Sequence, residues 1–129
     1  MLFRSSYAAD TTKNTTKNIS YNTSEIYLLV DKIAERHQVP SDLAQAVISL
    51  ESGYNPKVRG KRGEYGLGQI HCKTAKQEGM KGKCDDLYDP ETNLEYSMAY
   101  LRYALDLTNN DICKAASLDR KSTRLNSSH

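Results

Sequence analysis

The chain has 129 residues, a length that suits one domain, and its 38% hydrophobic content is enough for a modest core. Its net charge of +2 is too small to indicate a nucleic-acid partner. The longest apolar run, Ile26 to Val30, is far too short to span a bilayer, so we expect no transmembrane segment. The nine tyrosines join an apolar ring to a hydroxyl, which suits a sugar cleft as well as an ordinary core.

The first 23 residues predict a flexible leader, because residues 9 to 24 are rich in Thr, Asn, Lys and Ser. Within the opening MLFRSSYAAD, the segment Ser6-Tyr7-Ala8 resembles a small-x-small cleavage site, but no full apolar segment precedes it. The leader is therefore interpreted either as the remnant of a signal peptide or as an unstructured polar start.

Two amphipathic helices are predicted after the leader. The first runs from about Glu25 to His37, with Thr23 or Ser24 as its cap. The second runs from Ser41 to Ser52. Ser41 is expected to cap its first turn, and Gly53 is expected to end its last turn.

The second half of the chain predicts a loop and then further helices. Four glycines and four basic residues between Lys57 and Gly68 predict a loop with, at most, a short hairpin. A short helix is expected over residues 72–79, and a long one follows Asp89 and Pro90 to about Leu107. The long helix has two apolar stripes, which is typical of a central helix. Another helix is expected to begin near residue 111.

The three cysteines fit no zinc-site spacing, and no metal-ligand cluster is visible, so no metal or cofactor is expected. Cys72 and Cys84 can close a short disulfide loop in an oxidising compartment, or can remain buried free thiols. Cys113 is then left over.

The last residues, DRKSTRLNSSH, break the apolar pattern of the preceding CKAASL segment. They resemble translated sequencing-adapter read-through, so we expect the native sequence to stop matching near Asp119, with part of the domain missing. The alternative is a genuine disordered tail. The predicted organisation is therefore a leader over 1–23, an incomplete folded domain over 24–118 and a polar tail over 119–129.

Glu51 is the candidate for acid–base chemistry. The apolar stripe that contains Val47 and Ile48 leaves it at the edge of the buried face, where partial burial raises the pKa of a carboxyl group. It also lies in the last turn of its helix, where the negative end of the helix dipole opposes another negative charge. Both effects favour the protonated form that a general acid needs. The alternative is an ordinary surface glutamate at a helix end.

The loop after Glu51 is able to bring a polymer close to the main chain. Its glycines allow backbone conformations that other residues resist, and Gln69 offers both a donor and an acceptor. The basic residues that can attract an anionic polymer are Lys57, Arg59, Lys61 and Arg62. Each feature alone also fits an ordinary turn or a solvated surface.

Four motifs follow one another in the sequence: ESGYNP from Glu51, GLGQI from Gly66, DPETNL from Asp89 and AYLR from Ala99. As a set, they resemble the SLT-type lytic transglycosylases, lysozyme-like enzymes that cleave bacterial peptidoglycan. The resemblance covers about residues 24–118. It implies a mainly α fold of the α+β lysozyme-like type, with helices around a central helix and a small loop or hairpin segment lining a sugar cleft.

The resemblance also implies a reaction with one carboxylate. Glu51 would protonate the departing oxygen of the β-1,4 bond between N-acetylmuramic acid and N-acetylglucosamine. It would then take the proton from the muramoyl C6 hydroxyl, which attacks C1 and leaves a 1,6-anhydro product. The nearby Glu64 would then have no essential proton to move, and it is interpreted as a loop residue beside the cleft.

Other positions match the family as substrate-binding residues. Gly66 and Gln69 match the motif that lines the sugar cleft, and Tyr100 matches a helical position near it, although a core position fits Tyr100 equally well. Ser52 belongs to the first motif, but a structural role at the helix end fits it better. The residues that match the family as structural positions are Asn55, Asp89, Pro90 and Asn93.

The sequence departs from the family at three places. Gly68 stands where Met is common, and Gly60 stands where many members carry a Ser, which removes one expected sugar hydrogen bond. The Ala-Tyr-Asn-Ala-Gly-like motif expected after CKAASL is replaced by DRKSTRLNSSH. This replacement puts the activity of the present chain in question.

The resemblance implies peptidoglycan glycan strands as the partner and a periplasmic or secreted location. Two alternatives stay open. One is a goose-type lysozyme-like hydrolase, in which water intercepts the same intermediate. The other is a non-catalytic peptidoglycan-binding module, associated with secretion or wall-assembly machinery.

Overall fold

The computed structural model describes residues 20–115. Its elements are α1 (Thr23–Arg36), α2 (Ser41–Ser52), α3 (Cys72–Gln77), a 3₁₀ helix (Cys84–Tyr88) and α4 (Pro90–Leu107). α1 packs against α2 and α4, and both α3 and the 3₁₀ helix pack against α4. The mainly helical fold predicted from the sequence is confirmed. Residues 112–115 are helical as expected, while the predicted leader and tail lie largely or wholly outside the described residues.

α1 begins with a capping box on Asn22. The Asn22 side chain accepts a hydrogen bond from the Glu25 backbone at 2.8 Å, and the Glu25 carboxylate accepts one from the Asn22 backbone at 2.9 Å. The prediction of Thr23 or Ser24 as the cap is therefore wrong. All three residue types can cap a helix, but only Asn22 has a glutamate at the third helical position to complete the reciprocal pair.

α2 has the predicted bounds and ends at Gly53, whose φ of 60° is left-handed. The predicted cap is wrong, because Ser41 lies inside the first turn and the N-cap is Pro40, which makes no side-chain hydrogen bond. The Ser41 hydroxyl instead donates to Asp31 of α1, and Gln45 Nε2 donates to the same carboxylate oxygen at 2.8 Å. A contact between helices thus takes the hydroxyl that could have capped its own helix.

α4 starts where Asp89 and Pro90 predict, with the Asp89 side chain accepting from the Thr92 backbone at 2.9 Å. One predicted apolar stripe of α4 is buried: Leu94, Met98, Leu101 and Leu105. The second stripe is not buried to the same degree, since Tyr103 and Leu107 are exposed. The second stripe is thus half-buried at Tyr96 and Tyr100 and becomes exposed only toward the end of α4.

The buried side chains form two clusters. The larger one lies between α1, α2 and α4 and includes Leu67 from the loop after α2. The smaller one lies beside α3 and the 3₁₀ helix and consists of Tyr65, Ile70, Ala75, Met80 and Leu87. A disulfide between Cys72 and Cys84 joins the starts of α3 and the 3₁₀ helix against this smaller cluster, and Cys113 is free and exposed. The 3₁₀ helix was not predicted, because its five residues are too short to show an apolar period.

Between α2 and α3 the chain forms a short antiparallel ladder. Arg59 pairs with Tyr65, and Tyr65 pairs with Ile70, which gives the predicted loop its hairpin character. Leu67 belongs to the larger cluster, whereas Tyr65 and Ile70 belong to the smaller one. The segment 65–70 is therefore anchored in both clusters.

Candidate active site

Glu51 lies in the last turn of α2 and is partly buried. The helix stops directly after it, because Gly53 and Tyr54 both take left-handed backbone conformations, with φ of 60° and 66°. The Gly53 N–H donates to the Ser49 carbonyl at 3.0 Å and closes the helix end. The chain then leaves the helix axis, so the carboxylate of Glu51 lies at a corner between a helix and a loop.

Ser52 and Tyr54 fix this corner. The Ser52 hydroxyl donates to the Ile48 carbonyl at 3.2 Å, which is a structural contact within the helix. The Tyr54 hydroxyl donates to Gln45 Oε1 at 2.6 Å, and its ring centroid lies 5.9 Å from that of Tyr27. Burial raises the pKa of Tyr54, so its hydroxyl stays protonated as a donor.

Val58 connects the helix end to the glycine-rich motif. Its carbonyl accepts from the Gly66 N–H at 2.8 Å and from Gln69 Nε2 at 3.2 Å. Val58 follows Glu51 by only seven residues in the sequence. These bonds therefore tie Gly66 and Gln69 to the loop that follows Glu51.

Gln69 has a preorganised side chain. Its backbone is left-handed, with φ of 49°, which is unfavourable for a residue other than glycine and is common at functional sites. Its Nε2 donates both to Val58 O and, at 3.0 Å, to Gly66 O. Because the amide nitrogen is held by two carbonyls, its Oε1 points the other way, toward Gly60.

Asn93 of α4 holds the same segment from the opposite side. Its Oδ1 accepts from the Gly68 N–H and the Ser97 hydroxyl, both at 2.9 Å. Its Nδ2 donates to the carbonyls of Tyr65 at 2.8 Å and Leu87 at 2.9 Å. The side chain is fully buried and uses all of these groups. The sequence marked Asn93 only as a structural position of the DPETNL motif and did not reveal these contacts.

Two glycines let the motif pass close to α4. A Cβ atom at Gly66, where φ is 63°, would lie 2.7 Å from both the Leu87 carbonyl oxygen and Asn93 Nδ2. A Cβ atom at Gly68 would lie 2.2 Å from the Ser97 hydroxyl oxygen. The methionine common in the family at the position of Gly68 thus has no room here unless Ser97 moves, which accounts for this departure.

Tyr100 lies on the side of α4 that carries the loop contacts. It follows Asn93 by seven residues and Ser97 by three, spacings that keep side chains on one helix face. It is half-buried, and its ring centroid lies 5.9 Å from that of Tyr103. The candidate residues therefore lie on three parts of the fold: the end of α2, the glycine-rich segment and this face of α4.

The four basic residues of the loop are exposed, and one of them, Arg59, packs over an aromatic ring. The guanidinium carbon of Arg59 lies 4.2 Å from the centroid of the Tyr65 ring, a cation–π contact. A hydrogen bond with Tyr88 raises the pKa of Arg59, and the rings of Tyr65 and Tyr88 meet edge to face at 5.2 Å. Lys57, Lys61 and Arg62 are exposed.

Within residues 20–115, no group of three or more His, Cys, Asp or Glu side chains is arranged to hold a metal ion. None of the helices in that part of the chain combines the length and the apolar character needed to cross a membrane.

Residues 28–117 match the family model described as the transglycosylase SLT domain. The chain belongs to this family. The SLT domain is 38% identical over 72 residues to the soluble lytic murein transglycosylase of Escherichia coli. This match covers 51% of this chain and 11% of that protein. It is 30% identical over 93 residues to the membrane-bound lytic murein transglycosylase C of Photorhabdus laumondii, which covers 63% of this chain and 26% of that protein.

The fold of this SLT domain is also similar to a solved structure of the family. The crystal structure of the 70 kDa soluble lytic transglycosylase of Escherichia coli matches it with a TM-score of 0.63 and 26% identity. The match covers 73% of this chain and 17% of that one. The lysozyme-like fold class is thereby confirmed, and the chain spans only a small part of the length of the relatives it matches.

Proposed function

We propose that this SLT domain is a catalytic domain of a peptidoglycan lytic transglycosylase, with Glu51 as its single acid/base. The position of Glu51 carries the proposal. It is half-buried in the last turn of α2, and the loop that follows it leads to a glycine-rich segment that Val58 holds from one side and Asn93 from the other. The names of the relatives, which are lytic murein transglycosylases, support the reaction class.

The reaction needs one carboxyl group in two protonation states. Glu51 donates its proton to the oxygen that joins the two sugars while the bond from that oxygen to C1 of N-acetylmuramic acid breaks. The resulting carboxylate accepts the proton of the muramoyl C6 hydroxyl, and the C6 oxygen forms a bond to C1. The products are a free sugar hydroxyl and a 1,6-anhydro ring, and no water is consumed. Because the nucleophile belongs to the substrate, proximity replaces a second catalytic group.

The substrate is a glycan strand of peptidoglycan, bound along the segment beside Glu51. Gly66 and Gln69 line the strand, and Tyr100 contacts it further along α4. Ser52 supports the helix end through its bond to Ile48, and it does not need to touch the sugar. The exposed lysines and arginines of the loop suit a wall polymer that carries carboxylates.

The proposed location is the periplasm or the outside of the cell. The disulfide between Cys72 and Cys84 supports it, because such bonds persist mainly in oxidising compartments. The substrate also lies there, since peptidoglycan is a wall polymer.

The test is digestion of purified sacculi by the full chain, with mass spectrometry of the released muropeptides. We expect 1,6-anhydromuramoyl ends and a loss of at least about 100-fold in rate for Glu51→Gln, since a general acid/base contributes about that much or more. Binding to sacculi should persist in this variant. Glu35→Gln, an exposed change on α1, serves as the matched control and should digest at the wild-type rate.

Three outcomes would reject parts of the proposal. Unchanged digestion by Glu51→Gln would remove Glu51 from the chemistry. Reducing muramic acid ends in place of anhydro ends would identify water as the nucleophile and favour a lysozyme-like hydrolase. Binding of sacculi by the wild-type chain without any digestion would favour a non-catalytic module.

A further inference from the structure

Two oxygen acceptors converge on one glycine of the candidate site. A Cβ atom at Gly60 would lie 2.1 Å from Oε1 of Glu64 and 2.6 Å from Oε1 of Gln69. Both oxygens therefore lie against the same bare stretch of backbone, where any residue other than glycine would displace them. We call these two side chains the acceptor pair.

The ladder between α2 and α3 brings the acceptor pair together. The Gly60 N–H donates to the Glu64 carbonyl at 2.8 Å, which closes a tight turn. Arg59 pairs with Tyr65 on one side, and Tyr65 pairs with Ile70 on the other. Glu64 and Gln69 each precede one of these paired residues, so both side chains reach Gly60 from neighbouring segments. The pair is thus set by backbone pairing and by the two bonds that hold the Gln69 amide.

Both members of the pair present acceptors. Gln69 uses its amide nitrogen on two carbonyls, and among residues 20–115 no donor reaches its Oε1. Glu64 Oε1 accepts one bond, from the Arg62 N–H at 3.0 Å, and a carboxylate oxygen has a second lone pair for another donor. Neither side chain is fully buried. The pair therefore has room for a further donor, which would bond Gln69 Oε1 and the remaining lone pair of Glu64 Oε1.

Resting on the proposed function, we propose that the acceptor pair binds the acetamido N–H of a sugar in the glycan strand, and that Glu64 is a specificity-determining residue. An amide N–H only donates, which matches two acceptors, whereas a hydroxyl pairs as readily with donors. A neutral donor is favoured over an ammonium group, because Lys61 and Arg62 lie in the same turn and repel a second cation.

The test measures binding separately from cleavage. The full chain carrying Glu51→Gln is titrated by calorimetry with the N-acetylglucosamine tetramer and with the glucosamine tetramer, which lacks the acetamido group. We expect an added Glu64→Ala to weaken binding of the acetylated tetramer about 10-fold, the typical effect of losing one hydrogen bond to a charged group. Binding of the glucosamine tetramer should change by less than about 2-fold.

Two further variants distinguish loss of the contact with the sugar from loss of the folded structure. Glu64→Gln keeps an acceptor oxygen and should retain binding within about 3-fold of the parent. Gly60→Ala keeps both acceptors but pushes them apart, so it should weaken binding of the acetylated tetramer as Glu64→Ala does. Glu35→Ala on α1 is the matched control, and thermal melting of each variant checks that the fold is intact.

The proposal is overturned if Glu64→Ala weakens both tetramers equally, weakens neither, or weakens the glucosamine tetramer more. It is also overturned if the parent does not bind the acetylated tetramer. Failure of the proposed reaction would give another result. The wild-type chain would leave sacculi undigested, while Glu64→Ala would still weaken binding of the acetylated tetramer. Intact digestion with tetramer binding indifferent to Glu64 would reject the acceptor pair alone.

Discussion

Two buried or half-buried carboxamides, Asn93 and Gln69, determine the shape of the candidate site at the level of single residues. Gln69 ties the glycine-rich segment to Val58, and Asn93 ties the same segment to α4. Each carboxamide donates to two backbone carbonyls with its nitrogen, so four carbonyls are paired within the chain. Gly66 is required between them because a Cβ atom there would lie 2.7 Å from both Asn93 Nδ2 and the Leu87 carbonyl oxygen.

Asn93→Ala tests how much of this arrangement depends on one side chain. The change removes the Asn93 partner of the buried Gly68 N–H and of the Leu87 carbonyl, whereas the Tyr65 carbonyl keeps the Ile70 N–H at 3.2 Å. We expect the free energy of unfolding to fall by about 3 kcal/mol, since each orphaned buried group costs about 1–3 kcal/mol and part of the cost is relieved by relaxation. Urea unfolding followed by circular dichroism measures this.

Ser97→Ala is the matched control for that experiment. It removes one donor to Asn93 Oδ1, but the Gly68 N–H still satisfies that oxygen, so we expect a loss of about 1 kcal/mol. Equal losses for the two variants would mean that Asn93 is an ordinary buried residue and that the loop is held by other contacts.

At the level of elements, the long helices could be predicted from local signals, whereas the N-caps of α1 and α2 could not. The bounds of α2 follow from Pro40 and Gly53, the residues directly before and directly after the helix. Ser41 failed as a cap because its hydroxyl bonds Asp31, ten residues away on another helix. Local propensity favoured Ser41 as a cap, and a tertiary contact used its hydroxyl instead, whereas at α1 the choice of Asn22 follows from Glu25 three residues later.

The junction between α1 and α2 also predicts a dependence of stability on pH. Hydrogen bonds from Ser41, and secondly from Gln45, lower the pKa of Asp31 in the folded chain. Because the folded pKa lies below the unfolded one, the stabilisation is present above about pH 4 and is lost as the pH falls through the folded pKa. Asp31 lies near the surface, where water screens its charge, so we expect only about 0.5 kcal/mol.

Asp31→Asn isolates this contribution from those of the other carboxylates. The variant should be less stable than the wild type at pH 6, and the difference in free energy of unfolding should shrink toward about pH 2, as the Asp31 carboxylate takes up a proton. Thermal or urea unfolding at the two pH values measures it, with Glu35→Gln on the exposed face of α1 as the control. A difference that stays constant with pH would show that packing, and not the charge, connects the two helices.

At the level of the whole molecule, the candidate site spans two clusters that the sequence could not reveal as separate. The half-buried position of Glu51 follows from helical periodicity, which is local. The acceptor pair and the contacts of Asn93 join residues up to 28 positions apart, and no periodic pattern encodes such pairs. Because segment 65–70 contributes side chains to both clusters, the geometry beside Glu51 depends on the smaller cluster as well as the larger.

The disulfide is the covalent support of that smaller cluster, and breaking it tests this dependence. Cys72 and Cys84 are 12 residues apart, and a loop of this length predicts about 3 kcal/mol of stabilisation from the restricted unfolded chain. We expect Cys72→Ala/Cys84→Ala to lose about that much in urea unfolding. Cys113→Ala, which changes a free and exposed cysteine, should lose nothing measurable.

Hydrogen exchange of the same two variants shows which part of the domain loses stability. If the smaller cluster is the part that the disulfide supports, amide hydrogen exchange should speed up first over residues 65–88, while α1 and α2 keep their protection. Uniform acceleration across all helices would instead mean that the two clusters unfold as one unit. In that case the segment beside Glu51 would be only as mobile as the rest of the domain, and reduction would act on the site through global stability alone.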